Sequence, residues 1–178
     1  MKEIQVITGC MFAGKTTELI NRLKSTNKKY LLVKPALDTR DMENKICTHD
    51  GVFETGIQVK RLLDISKHLD DISVLGVDEA QFFDSPIIED IREISSKGIL
   101  IILAGLAKDY LNKPFGYMSK IIEMSNSVTW LKAKCHQCGL EATYSHRKQR
   151  DSESQVVIGD AEKYEALCEN CFKKHVKS

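Results

Sequence analysis

The segment 9–16 constrains the fold of this chain more than any other. It reads GCMFAGKT, and it joins an apolar run at residues 4–7 to a segment of helical period. Such a turn directs backbone N–H groups and a helix N-terminus at a phosphate, while the lysine supplies charge and the threonine a ligand for Mg²⁺. The sequence therefore predicts a phosphate-binding loop formed by Gly9, Cys10, Met11, Phe12, Ala13, Gly14, Lys15 and Thr16. We interpret Cys10 as a spacer within this loop rather than as a reactive thiol.

Apolar runs alternate with segments of helical period along the first three quarters of the chain. Residues 4–7, 30–33, 74–77 and 99–103 are typical of buried strands in a parallel sheet. Helices are expected at residues 16–25, 60–69, 86–98 and 114–124. Residues 41–56 have no clear period and are expected to form a mobile loop or a hairpin. The alternation predicts an α/β fold with a mainly parallel sheet.

Acidic residues follow the apolar run at 74–77. Asp78 would emerge at the carboxyl edge of the sheet beside the phosphate loop, where it would support Mg²⁺. Glu79 is placed to accept a proton from an attacking hydroxyl or water. Asp38 and Arg40 follow the run at 30–33 and should reach the same edge, where Arg40 would stabilise charge on the transferred phosphoryl group and Asp38 would contribute to the metal site. A solvated turn is the alternative for each of these two acidic segments.

Cysteines dominate the chemistry of the last part of the chain. Cys135 and Cys138 form one CxxC pair, and Cys168 and Cys171 form another, which predicts a closed structural Zn²⁺ site. We place a domain boundary at Lys134, giving a nucleotide-binding domain at 1–133 and a zinc-binding domain at 134–178. The long loop between the pairs is expected to act as a lid, with its clasp distant from the phosphate loop. With the cysteines as ligands, three nearby histidines are interpreted as surface residues: His136, His146 and His175.

Charge and hydropathy restrict the partners. The 26 Lys and Arg residues nearly balance the 25 Asp and Glu residues. The net charge therefore does not favour binding to nucleic acid or to an anionic membrane. The longest apolar stretch, residues 99–107, is far shorter than the roughly 20 residues that span a bilayer. We therefore expect a cytoplasmic protein that binds neither membrane nor nucleic acid.

Several motifs occur in an order that resembles the thymidine kinase family of the compact cytosolic type. They are GCMFAGKTTEL, KPALDTR, CTHD, DEAQFF, KPFG, the two CxxC pairs and VVIGDAEKY. The resemblance implies a RecA-like P-loop domain with a small zinc-bound lasso domain, assembled as a homotetramer. It also implies ATP-dependent phosphorylation of thymidine and deoxyuridine at the 5′-hydroxyl, in pyrimidine salvage.

The same resemblance implies roles for individual residues. Glu79 would be the general base, and the ATP–Mg²⁺ site would include residues 9–16 together with Asp38, Arg40, Asp78 and Gln81. The thymine ring would lie against an aromatic residue and be held largely by lasso backbone. The implied substrate residues are Phe82, Tyr110, Phe115, Gln155, Val156, Val157, Ile158, Gly159 and Tyr164. Asp160 and Tyr110 depart from the family pattern, which favours glycine and phenylalanine at these positions.

A P-loop ATPase with a zinc-containing nucleic-acid-binding appendage is the alternative function. An Asp-Glu-Ala-Gln box beside a P-loop is also typical of helicase-like proteins. However, a helicase motor needs two such lobes, and this chain has room for one. It also lacks a basic stripe with interleaved aromatic residues.

Overall fold

A parallel sheet forms the centre of the molecule. The computed structural model describes residues 2–36, 45–47, 53–148 and 163–176, with the side chains of 45–47 and 53 outside the description. Within these ranges, a sheet of six strands has the order β5-β2-β6-β7-β1-β8, and every neighbouring pair in it is parallel. The strands are β1 (Ile4–Gly9), β2 (Tyr30–Pro35), β5 (Ile57–Val59), β6 (Val74–Val77), β7 (Leu100–Ala104) and β8 (Ser127–Leu131). The prediction of an α/β fold with a mainly parallel sheet is confirmed.

Helices cover both faces of this sheet, as buried parallel strands require. Helix α1 (Lys15–Ser25) packs Leu19, Ile20 and Leu23 on one face. The opposite face is covered by a 3₁₀ helix (Leu62–Asp71) and by helices α2 (Ile87–Ser96) and α3 (Met118–Met124). The apolar period of α1 and α2 matches these buried faces, so these two helices were predictable from the sequence.

The strand order determines which loops meet at the functional edge. Strand β7 lies between β1 and β6, and all three run in the same direction. The phosphate loop leaves the carboxyl end of β1, and Asp78 follows the carboxyl end of β6. Both segments therefore emerge at the same edge of the sheet, as expected for an open α/β fold.

A second unit, which we call the cysteine lobe, comprises residues 133–148 and 163–176. It contains two antiparallel pairs, β9 (Ala133–Lys134) with β10 (Glu141–Ala142) and β11 (Tyr144–Arg147) with β12 (Tyr164–Leu167). Helix α4 (Glu169–Val176) follows β12. Tyr144 stacks on Phe172 of α4 with ring centroids 4.6 Å apart, and this contact packs the helix on the strands.

The structure differs from the predictions at two helices and at two strands. The segment expected as a helix at 60–69 is the 3₁₀ helix Leu62–Asp71, and the helix expected at 114–124 begins only at Met118. Strands β5 and β8 were not predicted, because β5 has only three residues and β8 is a half-exposed edge strand without a continuous apolar run. In the segment expected as a loop or hairpin, β3 (Lys45–Cys47) pairs antiparallel with β4 (Phe53–Thr55), which agrees with the hairpin. None of the described helices is long and apolar enough to cross a membrane.

A buried carboxylate joins two of the covering helices. Asp90 of α2 is fully buried, and it accepts hydrogen bonds from Arg61 Nε at 3.0 Å and Nη2 at 2.8 Å. Arg61 precedes the 3₁₀ helix Leu62–Asp71, so this ion pair fixes that helix against α2. A buried charge without its partner is strongly unfavourable, whereas an exposed pair contributes little.

We therefore predict that Arg61→Gln lowers the melting temperature by several degrees. The matched control is Arg92→Gln, which removes the exposed pair between Arg92 and Glu89 on the same helix. Thermal unfolding of the two variants and the parent protein measures the difference. Equal melting temperatures for the two variants would contradict a stabilising role for the Arg61–Asp90 pair.

Candidate active site and cysteine cluster

The phosphate loop has a backbone that only glycine tolerates at two positions. Gly9 has a φ of 150°, and a Cβ added there would lie 2.5 Å from the carbonyl oxygen of Leu131. Gly14 has a φ of 83° and caps the N-terminus of α1. The turn between them is thus able to bring its backbone N–H groups close to a bound anion.

Thr16 and Asp78 meet at the base of this loop. Thr16 Oγ1 donates to Asp78 Oδ2 at 3.0 Å, and the carboxylate is 5% exposed. Burial, reinforced by the neighbouring charge of Glu79, raises the pKa of Asp78 to about 7. The hydroxyl and carboxylate oxygens are ligands that Mg²⁺ prefers, so these two residues fit a Mg²⁺ ion bound together with nucleotide phosphates.

Lys15 lies inside the turn. Its Nζ donates to the carbonyl oxygen of Cys10 at 2.8 Å. Burial lowers the pKa of this amine, while the nearby acidic groups, first of all Glu79, act in the opposite direction. The ammonium group is therefore held where phosphate oxygens would meet the loop.

Glu79 occupies an unusual backbone conformation. Its φ of 52° and ψ of 42° are left-handed, which is uncommon outside glycine and is concentrated at functional sites. Gln81 Nε2 donates to Glu79 Oε2 at 2.7 Å, and Gln81 Oε1 accepts from the backbone N–H of Leu106 at 3.1 Å. Gln81 is 3% exposed, so its amide connects the Glu79 carboxylate to the loop after β7. A nucleotide contact by Gln81 itself stays a prediction.

The aromatic residues implied for substrate binding form two separate contacts. Phe82 meets Phe115 edge to face with ring centroids 5.4 Å apart. Tyr110 and Tyr164 are joined by Arg147, whose guanidinium carbon lies 3.8 Å from the centroid of the Tyr110 ring. Arg147 Nη2 also donates to the Tyr164 hydroxyl at 3.2 Å.

Sequence reasoning did not single out Arg147. It lies in the basic run HRKQR, residues 146–150, within the loop that we expected to act as a lid. Arg147 is 3% exposed, and it faces Tyr110 because β11 pairs with β12 in a register that opposes it to Tyr164. No local signal distinguishes this arginine from its basic neighbours, since the strand pairing alone decides which of them turns inward.

The two CxxC pairs converge in the cysteine lobe. The sulfur atoms of Cys135, Cys138, Cys168 and Cys171 all lie within 4.8 Å of one another. The Sγ atoms of Cys138 and Cys168 are 3.6 Å apart, close to the separation of about 3.8 Å that tetrahedral Zn²⁺ requires of its sulfur ligands. The cluster therefore fits Zn²⁺, and it is closed because it leaves no coordination position for water.

Ionisation of one thiol in the cluster opposes the ionisation of another. Burial alone would raise the pKa of Cys135, but N–H groups of Cys168, Cys138 and Gln137 outweigh it and lower that pKa to about 6. The hydrogen bond with Cys168 raises the pKa of Cys171 to about 12, because neighbouring sulfurs resist a second negative charge. A divalent metal removes this conflict by binding all the thiolates at once.

The expectation that the clasp is distant from the phosphate loop is wrong. Cys10 is 4% exposed and packs into the apolar core of the cysteine lobe with Ala142 and Leu167, so it is more than a spacer. Burial raises the pKa of its thiol. The backbone N–H of Met11 donates to Ser145 Oγ at 2.9 Å, and Phe12 contacts the ring of His136 at 4.9 Å. The lobe thus supports the loop directly.

Several predicted residues lie outside the described part of the chain: Asp38, Arg40, Gln155, Val156, Val157, Ile158 and Gly159. Among the histidines, His136 is exposed as expected. The side chain of His146 is only 12% exposed and pairs with Glu165, so its interpretation as a surface residue is wrong. Strand β11 buries it against α4 and β12.

Residues 2–172 match the family model described as Thymidine kinase. The chain belongs to the thymidine kinase family. It is 36% identical to the thymidine kinase of Bacteroides fragilis over 96% of this chain and 87% of that protein. Its identity to the thymidine kinase of Bacteroides thetaiotaomicron is 37%, over 95% of this chain and 86% of that protein. The corresponding values for Mycoplasma mycoides are 35%, 95% and 88%.

Among solved structures, the Legionella pneumophila ATPase DotB aligns with a TM-score of 0.47 at 14% identity, over 76% of this chain and 42% of that chain. This similarity is too low to bear on function. The family assignment of this thymidine kinase homologue rests on the sequence matches alone.

Because the cysteine lobe packs on the phosphate loop, we predict that Cys168→Ser weakens the binding of ATP as well as thymidine. Loss of one thiolate should also release the metal and make the chain from Gly139 onward sensitive to protease. Metal content, limited proteolysis and titration with a non-hydrolysable ATP analogue measure these effects. Cys47→Ser, outside both CxxC pairs, is the control. Unchanged ATP affinity in metal-free Cys168→Ser protein would contradict the coupling.

Proposed function

We propose that Glu79 is the general base for the phosphorylation of thymidine by ATP, the reaction of this family. The contact between Glu79 and Gln81 is the observation that carries this assignment, because it orients a carboxylate beside Asp78 and Thr16. A general base must be held within hydrogen-bond reach of the hydroxyl from which it takes the proton. In this proposal, Glu79 accepts the proton of the 5′-hydroxyl as that oxygen attacks the γ-phosphorus atom of ATP.

The phosphate loop binds and positions ATP. Backbone N–H groups of residues 9–16 and the ammonium group of Lys15 would contact the phosphate oxygens, and Thr16 and Asp78 would hold Mg²⁺. When bound, Mg²⁺ neutralises phosphate charge and stabilises charge on the leaving group. Asp38 and Arg40 would complete this site, with Arg40 stabilising the charge on the transferred group.

Thymidine binding is assigned to the aromatic residues and to the lasso backbone. Tyr110 would lie against the thymine ring, with residues 155–159 offering N–H and C=O groups to its edge. The stacking of Arg147 on Tyr110 supports this assignment, since a buried cation holds the tyrosine ring in one orientation. Phe82, Phe115 and Tyr164 would enclose the nucleoside. Such a site accepts deoxyuridine and excludes purine nucleosides for lack of space.

The zinc ion has a structural role in this proposal. Bound by the two CxxC pairs, it would tie β9 and β10 to β12 and α4 and so lower the backbone entropy cost of folding the cysteine lobe. We further propose a nucleotide-binding domain at 1–133, a lasso domain at 134–178, a homotetrameric assembly and a cytoplasmic location. Size-exclusion chromatography with light scattering tests the assembly.

Nucleoside-dependent release of ADP tests the function against the alternative of a nucleic-acid-dependent ATPase. Purified zinc-loaded protein is incubated with ATP, Mg²⁺ and either thymidine, deoxyadenosine or single-stranded DNA. Release of ADP with thymidine alone is the expected result. Release with single-stranded DNA but not with thymidine would support the ATPase, and equal turnover of thymidine and deoxyadenosine would exclude the pyrimidine-specific site.

We predict that Glu79→Gln lowers kcat by about 10²- to 10⁴-fold, the usual loss when a general base is removed. Thymidine binding should remain measurable, because the amide keeps the shape of the carboxylate. Lys15→Ala should instead impair the use of ATP. The exposed Glu93→Gln serves as the control for loss of one negative charge. Turnover close to the parent value in Glu79→Gln would exclude the base assignment.

A separate prediction concerns the orientation of Glu79. Gln81→Met removes both amide hydrogen bonds at nearly constant volume, so the carboxylate is no longer fixed. We expect kcat to fall by up to about 10²-fold, as for other misplaced reacting groups, while the KM values change little. Steady-state kinetics of Gln81→Met and Gln81→Glu measure kcat and the KM values separately. A rise in the KM for ATP with kcat unchanged would instead indicate that Gln81 contacts the nucleotide.

A further inference from the structure

Strand β11 presents two different clusters on its two sides. Successive strand residues point to opposite faces, so Arg147 contacts Tyr110 while its neighbour His146 faces helix α4. His146 lies opposite Glu165 in the register of β11 and β12, and its Nδ1 is 2.9 Å from Glu165 Oε1. The ring of His175, in the last turn of α4, lies 4.4 Å from the ring of His146.

These side chains have the composition of a metal site. One donor atom from each of His146, Glu165 and His175 lies within 4.8 Å of the other two. The side chains of His146 and Glu165 are each 12% exposed. An ion pair needs only one imidazole, whereas here a second imidazole, from helix α4, has a donor atom within 4.8 Å of the same carboxylate. Two imidazoles and a carboxylate form a common ligand set for Zn²⁺ and related divalent ions.

We propose that His146, Glu165 and His175 bind a second divalent metal ion, distinct from the ion of the cysteine cluster. Zn²⁺, Co²⁺ and Ni²⁺ suit the nitrogen and oxygen donors. With three protein ligands, the site leaves positions for water, so its metal exchanges more readily than a closed four-sulfur ion.

The required adjustment of the side chains is small. Zn–N bonds of 2.0–2.1 Å place neighbouring donor atoms about 3.3 Å apart. Because the donor atoms here lie within 4.8 Å of one another, the most widely separated pair must approach by about 1.5 Å at most. Rotation of the His175 side chain in the terminal turn of α4 is able to supply this movement.

A neighbouring amide connects the proposed site to the cysteine cluster. Gln137, which lies between Cys135 and Cys138, has its Nε2 atom 2.6 Å from His175 Nε2 and 3.4 Å from Glu165 Oε1. As a donor to both residues, this amide holds the imidazole of His175 beside the carboxylate of Glu165. A metal bound here would join β11, β12 and α4, and would therefore stabilise the folded lobe.

Equilibrium dialysis against Zn²⁺ tests the site. The zinc-loaded protein, with any polyhistidine tag removed, is dialysed against micromolar free Zn²⁺, and its metal content is measured by mass spectrometry. We expect about two zinc ions per chain in the parent protein, and about one in His175→Ala and in His146→Ala. His68→Ala, which removes a histidine from the 3₁₀ helix, is the matched control and should bind as many ions as the parent.

Thermal unfolding supplies an independent measurement. Added Zn²⁺ should raise the melting temperature of the parent protein and of His68→Ala, but not that of His175→Ala. Parent protein that takes up no zinc beyond the ion of the cysteines would overturn the proposal. So would His175→Ala and His146→Ala proteins that retain the cysteine-bound ion and bind the second with parental affinity.

Discussion

The packing of the phosphate loop on the cysteine lobe is the interaction on which the active site depends. The side chain of Cys10 lies in the apolar core of the lobe, and the adjacent N–H of Met11 donates to Ser145. A loop that must present its N–H groups to an anion has few side chains left to hold it in place. In this fold a second unit supplies that support, so the lobe that contains the four-cysteine cluster packs directly on the phosphate loop.

The orientation of the Glu79 carboxylate, the proposed general base, depends on a similar connection across the sheet. Glu79 follows β6 in a left-handed conformation, and Gln81 joins it to the N–H of Leu106 after β7. Because Gln81 is buried, its amide cannot exchange these partners for water without cost. The strained backbone and the buried amide thus fix the position of one acidic side chain.

Strand β11 connects the side of the lobe that contacts Tyr110 with its opposite side. Arg147 stacks on Tyr110 on one face, while His146 meets Glu165 and His175 on the other. Both contacts depend on the same register between β11 and β12, because a slip of one residue would exchange the two faces. The contact with Tyr110 and the packing of α4 therefore depend on the same strand register.

The sequence by itself determined the local features that repeat at fixed spacing. The phosphate loop, the apolar strands, helices α1 and α2 and the two cysteine pairs all have signatures within a few residues, and the family resemblance follows from their order. Only the tertiary structure decided contacts between segments far apart in the chain. The burial of Cys10, the connection of Glu79 to Leu106 through Gln81 and the inward turn of Arg147 each depend on strand pairing or lobe packing. No local pattern encodes them, because the same residue types at the same spacing are equally compatible with exposure to solvent.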